Sequence, residues 1–143
     1  MRLITYAYQE AEKFYDKETY NHAVRVANYV MTNDMIPDDM RETCVALAIM
    51  HDLLEDTKYV PPSYGGQLAK EVGYTNYFDR CLNYLTNRGK RYVDYIKSIK
   101  ANSCDYPEIW WVKLADMKDH FMQKDTLTDA LKEKYLEALP YLL

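Results

Sequence analysis

Apolar residues recur at intervals of three and four along most of this chain, the spacing that lines side chains up on one face of an α-helix. Residues 1–64 contain no glycine; Ile4, Ala7, Tyr8, Ala11, Phe14 and Tyr15 make one stripe there, and Ala23, Val26, Ala27, Val30 and Met31 make a second after Asn21. Asn33-Asp34 predicts a turn, and Pro37 followed by Asp38 and Asp39 predicts a helix start, since proline tolerates the first turn and carboxylates favour the positive end of the helix dipole. That third helix, over about 38–54, carries Met40, Cys44, Leu47, Ala48 and His51 on one face and runs out at Pro61-Pro62. A short helix ending near Gly73 follows, then one through Tyr77, Cys81, Leu82 and Leu85, a turn at Asn87-Arg88-Gly89-Lys90, two amphipathic stretches over about 91–101 and 107–124, and a last helix over about 128–139. No alternating β pattern, repeat or linker interrupts this order. The expected fold is all-α, a single domain over 1–143 with seven to eight helices.

Composition narrows what such a bundle can do. The chain's 143 residues, 48% of them hydrophobic and 28% charged, suit one globular core. Its four glycines all lie between Gly65 and Gly89, and neither a GxGxxG nor a GxxxxGK[ST] segment can be written, so phosphate cannot be cradled by a glycine-rich loop. With 18 basic against 22 acidic residues, the net charge of −4 has the wrong sign for binding a nucleic-acid polymer, while a small phosphorylated ligand stays open. Cys44, Cys81 and Cys104 are odd in number and form no CxxC, which predicts neither a disulfide framework nor a thiolate zinc site. No apolar run approaches the roughly 18 residues of a membrane span and no leader pattern is present, so a cytoplasmic protein without membrane contact is expected. The 15 tyrosines read as amphipathic packing at helix edges, and Trp110 and Trp111 as core.

Chemistry concentrates in ALAIMHDLLEDT, residues 46–57, where an apolar helical run ends in His51, Asp52, Glu55 and Asp56. His51 and Asp52 are adjacent and cannot share a helix face, but at a helix end both can lean toward one cation. Glu55 follows His51 by four residues and Asp56 follows Asp52 by four, so each pair shares a face. A solvated, acid-rich helix terminus is the alternative reading. Elsewhere, His22 stands in the first turn of an otherwise apolar helix, and Asp116 interrupts the apolar run Val112-Lys113-Leu114-Ala115. Lys113 either faces outward or steadies that acid.

Histidine, then His-Asp, then a distant Asp is the ligand order of the HD superfamily of metal-dependent phosphohydrolases, which this sequence resembles over nearly its whole length. HDLLEDT resembles the HDxxEDT box of the Rel/Spo alarmone hydrolases and their small hydrolase-only relatives, WVKLADMKDHF resembles their VKLADxxxN helix, and NYLTNRGKRYVDYIKSIKAN, residues 83–102, resembles the stretch between the two. The resemblance implies a compact HD-domain helical bundle. It implies hydrolysis alone, because the chain has no room for a synthetase domain. His22, His51, Asp52 and Asp116 match the metal ligands, a set that suits Mn²⁺ although iron or zinc could bind it. Glu55 and Asp56 match the acidic pair that orients and deprotonates a metal-activated water. The substrate expected is a guanosine 3′-pyrophosphate alarmone, the alternatives being a nucleoside 5′-monophosphate or another nucleotide, or a non-catalytic nucleotide-binding regulator. Substrate contacts are expected from Lys17 in the segment ahead of His22, from Arg88, Lys90, Arg91, Tyr95 and Lys97 around the basic turn, and from His120, which occupies the position of the family's asparagine. His120 would touch ribose or phosphate, or is simply a polar helix residue. Oligomeric state is not legible in the pattern.

Overall fold

In a computed structural model that describes residues 2–143, 72% of the chain is helical, with no strand among the described residues. Met1, the first residue of the expected domain, lies outside the described residues. The order is α1 (Arg2–Phe14), α2 (Lys17–Thr32), α3 (Asp38–Met50), α4 (Leu53–Asp56), α5 (Gln67–Val72), α6 (Asn76–Tyr84), α7 (Tyr92–Asn102), α8 (Pro107–Met122) and α9 (Asp129–Leu142). α4 is a single turn of four residues, and the eight longer helices form the all-α bundle that the periodicity predicts. Among the described residues, no helix is long and apolar enough to cross a membrane.

Capping explains most boundaries. Asp16 accepts from the Thr19 N–H at 2.8 Å and starts α2 at Lys17, so His22 stands in the second turn rather than the first turn expected from the sequence. Thr75 and Thr128 cap α6 and α9 in the same way. Arg41 closes the other end of α2: its guanidinium donates to the carbonyls of Val30, Met31 and Asn33 and to that of Ile36, satisfying acceptors that a helix end leaves without partners. Gly73 ends α5 with φ +78°, a left-handed conformation that glycine adopts without steric cost.

α3 is the axis of the core. Its residues Cys44 to Met50 are all buried, and it packs against α1, α2, α6 and α8, while α8 also meets α2, α7 and α9. The reading of one helix over 38–54 is corrected here, since α3 stops at Met50 and the chain breaks at His51 and Asp52 before the turn of α4. Asp52 sits at φ −99°, ψ −1°, off helical geometry, and the break lets two consecutive side chains turn to the same side. Tyr15, just past α1 and buried, holds this corner; its hydroxyl donates to the Ile49 carbonyl at 2.7 Å and accepts from the Asp52 N–H at 3.2 Å. Tyr74 and Tyr95 behave likewise, with their rings in the core and their hydroxyls on Asp79 and the Leu85 carbonyl, while the exposed Tyr77 donates to Glu108. Trp110 and Trp111 are half-buried against the core.

Candidate metal centre

α2, the α3–α4 corner and α8 meet at one point, and each brings polar side chains to it. His22 Nε2 lies 2.8 Å from Asp116 Oδ1, and His51 Nε2 lies 3.1 Å from the same oxygen. Asp52 Oδ2 is 3.1 Å from His51 Nε2 and 3.9 Å from His22 Nε2. The four residues singled out as ligands are therefore together, brought from positions as far apart as 94 residues. For a cation bound at about 2.0–2.2 Å, neighbouring donor atoms stand roughly 3 Å apart, which is the spacing found. The third histidine joins them, with His120 Nε2 3.4 Å from Asp116 Oδ1. His22, Asp116 and His120 form one group able to hold a metal ion, and His22, His51 and Asp52 form another.

What lies behind the histidines fixes which nitrogen faces the centre. His51 Nδ1 is 2.6 Å from the Ala48 carbonyl oxygen, which can only accept, so Nδ1 carries the proton and Nε2 of the neutral ring presents its lone pair. His22 Nδ1 is 2.6 Å from Asp119 Oδ2, giving the same tautomer. Asp119 is wholly buried and is itself gripped by Arg25, through Nε at 2.8 Å and Nη2 at 3.0 Å, with the Tyr29 hydroxyl at 3.3 Å. A carboxylate–histidine pair of this kind orients metal ligands. Two imidazole lone pairs and two carboxylates then face one another. Such a set of acceptors needs protons or a cation at its centre, and its chemistry fits a divalent ion.

The electrostatics agree. Burial opposes charging His51, yet Asp52 and Asp116 outweigh it and hold its pKa well above the ordinary imidazole value. His22 is raised too, burial being overcome by Asp116. Burial works against ionising Asp116, but Lys113 and His51 hold its carboxyl well below the usual carboxylate range. Lys113 is buried with Nζ 2.7 Å from Asp116 Oδ2, under the rings of Tyr92 and Tyr95. Of the two readings of this lysine, it steadies the acid.

A cavity of about 510 Å³ opens over the cluster, bounded by Glu18, Thr19, Asn21, His22, Arg25, Asp52, Asp56, Asp119, His120, Gln123, Asp125, Thr126, Leu131 and Tyr135. Asp56 is on this wall; burial, Asp52 and Glu55 push its carboxyl up to about 6. Glu55 is not on the wall. Its Oε1 accepts the Asn87 N–H at 2.7 Å and ties the turn at 87–90 to α4, so the expected acidic pair divides into one residue at the cavity and one that braces it.

Most of the expected substrate contacts lie elsewhere. Arg88 donates to Asn83 Oδ1, Lys90 is bound through its backbone to Asn87, and Arg91 is the exposed residue that starts α7. Tyr95 is buried with its hydroxyl spent on Leu85, Lys97 covers the Tyr141 ring at 4.4 Å, and Lys17 lines a separate hollow with Glu12, Tyr15, Asp16 and Tyr20. None of these six lines the cavity, whereas His120 does. Asp119 and Arg25 were missed by the sequence reading. Their signal was an acid three residues after Asp116 and an arginine three after His22, which place each on the face of its ligand.

Comparison of the chain with protein-family models, curated proteins and solved structures gave no match.

Proposed function

We propose that the protein is a metal-dependent phosphohydrolase of the HD type acting on a small phosphorylated nucleotide. The observation that carries this reading is the convergence of His22, His51, Asp52 and Asp116, in which each histidine lies within 3.9 Å of both carboxylates under an open cavity. These four residues would hold the ion. When bound, a divalent cation there lowers the pKa of water and neutralises phosphoryl oxygens.

The chain's own residues supply the rest. Asp119 and the Ala48 carbonyl keep both imidazoles in the ligating tautomer. Lys113 keeps Asp116 ionised and leaves Oδ1 facing the centre. Asp56, on the cavity wall with its pKa near 6, is suited to accept a proton from water as the water oxygen bonds to phosphorus and the P–O bond to the nucleoside side breaks. Glu55 ties the turn at 87–90 to α4, the helical turn that carries Asp56.

The motif resemblance favours a guanosine 3′-pyrophosphate alarmone. The cavity favours the second reading, a nucleoside 5′-monophosphate: its wall carries five carboxylates and one guanidinium, and that guanidinium, Arg25, is already bound to Asp119. A substrate with several phosphates would meet more negative charge than the single arginine offsets. Purified protein loaded with Mn²⁺ or Zn²⁺ is assayed against nucleoside monophosphates and guanosine tetraphosphate by phosphate and pyrophosphate release. Turnover of either class supports hydrolysis and chooses the substrate; no turnover with stoichiometric metal bound refutes it in favour of a nucleotide-binding regulator.

A further inference from the structure

The chain has three histidines, and Nε2 of every one lies within 3.4 Å of a single oxygen, Asp116 Oδ1. His120 stands farther from that oxygen than the other two, with Nε2 at 3.4 Å, but groups with His22 and Asp116 as a set able to hold a metal ion. It follows Asp116 by four residues on α8, which puts both side chains on one face, and its ring is held between the His22 ring and the Tyr135 ring of α9, each with its centroid at 4.8 Å. The stack on Tyr135, tilted by only 19°, restrains the ring plane, and in that plane Nε2 lies 3.4 Å from Asp116 Oδ1. A residue placed to touch a nucleotide would direct that nitrogen into the open space that Gln123, Thr126 and Leu131 border.

We propose that His120 is itself a metal ligand, and that the centre, with three imidazoles and two carboxylates, takes a nitrogen-preferring divalent ion such as Fe²⁺ or Zn²⁺ rather than Mn²⁺. Imidazole suits zinc, iron, copper and nickel, whereas carboxylate and water suit manganese and magnesium, so each added imidazole moves the preference toward the first group. This replaces Mn²⁺ as the expected ion and rests on the metal-centre reading above. The Asp116–His120 spacing is also that of the two histidines in HExxH zinc helices, where residues four apart clasp one ion from a single helix face.

The test uses the full chain, stripped of metal by chelation, with Zn²⁺ as the probe. In side-chain nitrogen NMR spectra, Nε2 of His22, His51 and His120 should all shift on adding one equivalent of zinc. Shifts confined to His22 and His51 overturn the proposal and leave the metal centre standing. If zinc does not bind stoichiometrically, the metal centre and the proposal fall together. In a second measurement, His120→Asn should lower the Zn²⁺ affinity by at least about tenfold, since loss of even an outer-shell contact costs that much, and should lower the Mn²⁺ affinity less. The variant's melting temperature in chelator verifies its fold; an unchanged ratio of zinc to manganese affinity overturns the proposal.

Discussion

Replacing Asp119 with asparagine tests the orientation of His22 most directly. The native carboxylate is fully buried and accepts from His22 Nδ1, from both arms of the Arg25 fork and from the Tyr29 hydroxyl. An amide has one oxygen. If that oxygen faces His22, the amide N–H groups point at the Arg25 guanidinium, donor against donor. If the amide flips, its N–H groups face His22 Nδ1 and move the ring proton to Nε2, so the lone pair leaves the metal centre. Either way the ligand loses its support, and metal affinity should fall by about 10–100-fold, or about 1.4–2.7 kcal/mol. The metal-free protein should lose less than the roughly 1.5–3 kcal/mol of a fully sequestered charge-assisted bond, because the Arg25 side chain is 37% exposed and can turn to water. Calorimetric titration of Zn²⁺ into stripped protein gives the first quantity, and denaturation in chelator gives the second. A variant that melts earlier yet binds zinc with native affinity would refute the tautomer argument and leave Asp119 a purely structural residue.

Four further outcomes follow from the same geometry. Asp56→Asn should abolish turnover and keep metal bound, whereas Glu55→Gln, away from the cavity wall, should lower the rate only partly; equal losses in the two would return Glu55 to the reaction centre. Because folding raises the Asp56 pKa from 3.8 to about 6, its ionised form costs stability that is absent below the lower value and complete above the upper, so Asp56→Asn should stabilise the metal-free protein above about pH 6 and leave it unchanged below 3.8, as read by chemical denaturation at both ends. Both His22 and His51 are raised in the metal-free protein, so they stabilise it below the unfolded value of 6.5 and lose that effect as pH climbs through their folded values; metal binding near neutrality should release protons, seen as a buffer-dependent heat in calorimetry, and no dependence on buffer would contradict it. Lys113→Met removes one partner of a buried pair, a loss of roughly 3–5 kcal/mol in metal-free protein, and should cost less once zinc is bound because the ion then neutralises Asp116; equal losses in both states would show that Asp116 is not a ligand.

Periodicity placed the helices apart from the break at His51 and Asp52 inside the expected 38–54 helix, because a helix face is set by residues three and four apart and needs no knowledge of partners. Proline and glycine marked other breaks, but the corner at His51 and Asp52, where two neighbouring side chains turn the same way, carries neither and was visible only in the folded chain. His22, His51 and Asp116 stand out as polar residues in apolar helical segments, but it was the resemblance to a family's ligand order that joined them with Asp52 as one candidate set. What the sequence could not say is which faces meet. Asp119 and His120 look like ordinary polar residues near the end of α8 until α2 lies against them, at which point one holds His22 and the other joins it at Asp116. The basic turn at 88–91 invited a role with phosphate because charge is visible in sequence, but its placement is not: the turn is bound to Glu55 and Asn83, and none of its residues lines the cavity. Local spacing determined the helices and the acids within them; packing between segments some 94 residues apart decided which of those acids and histidines share one centre.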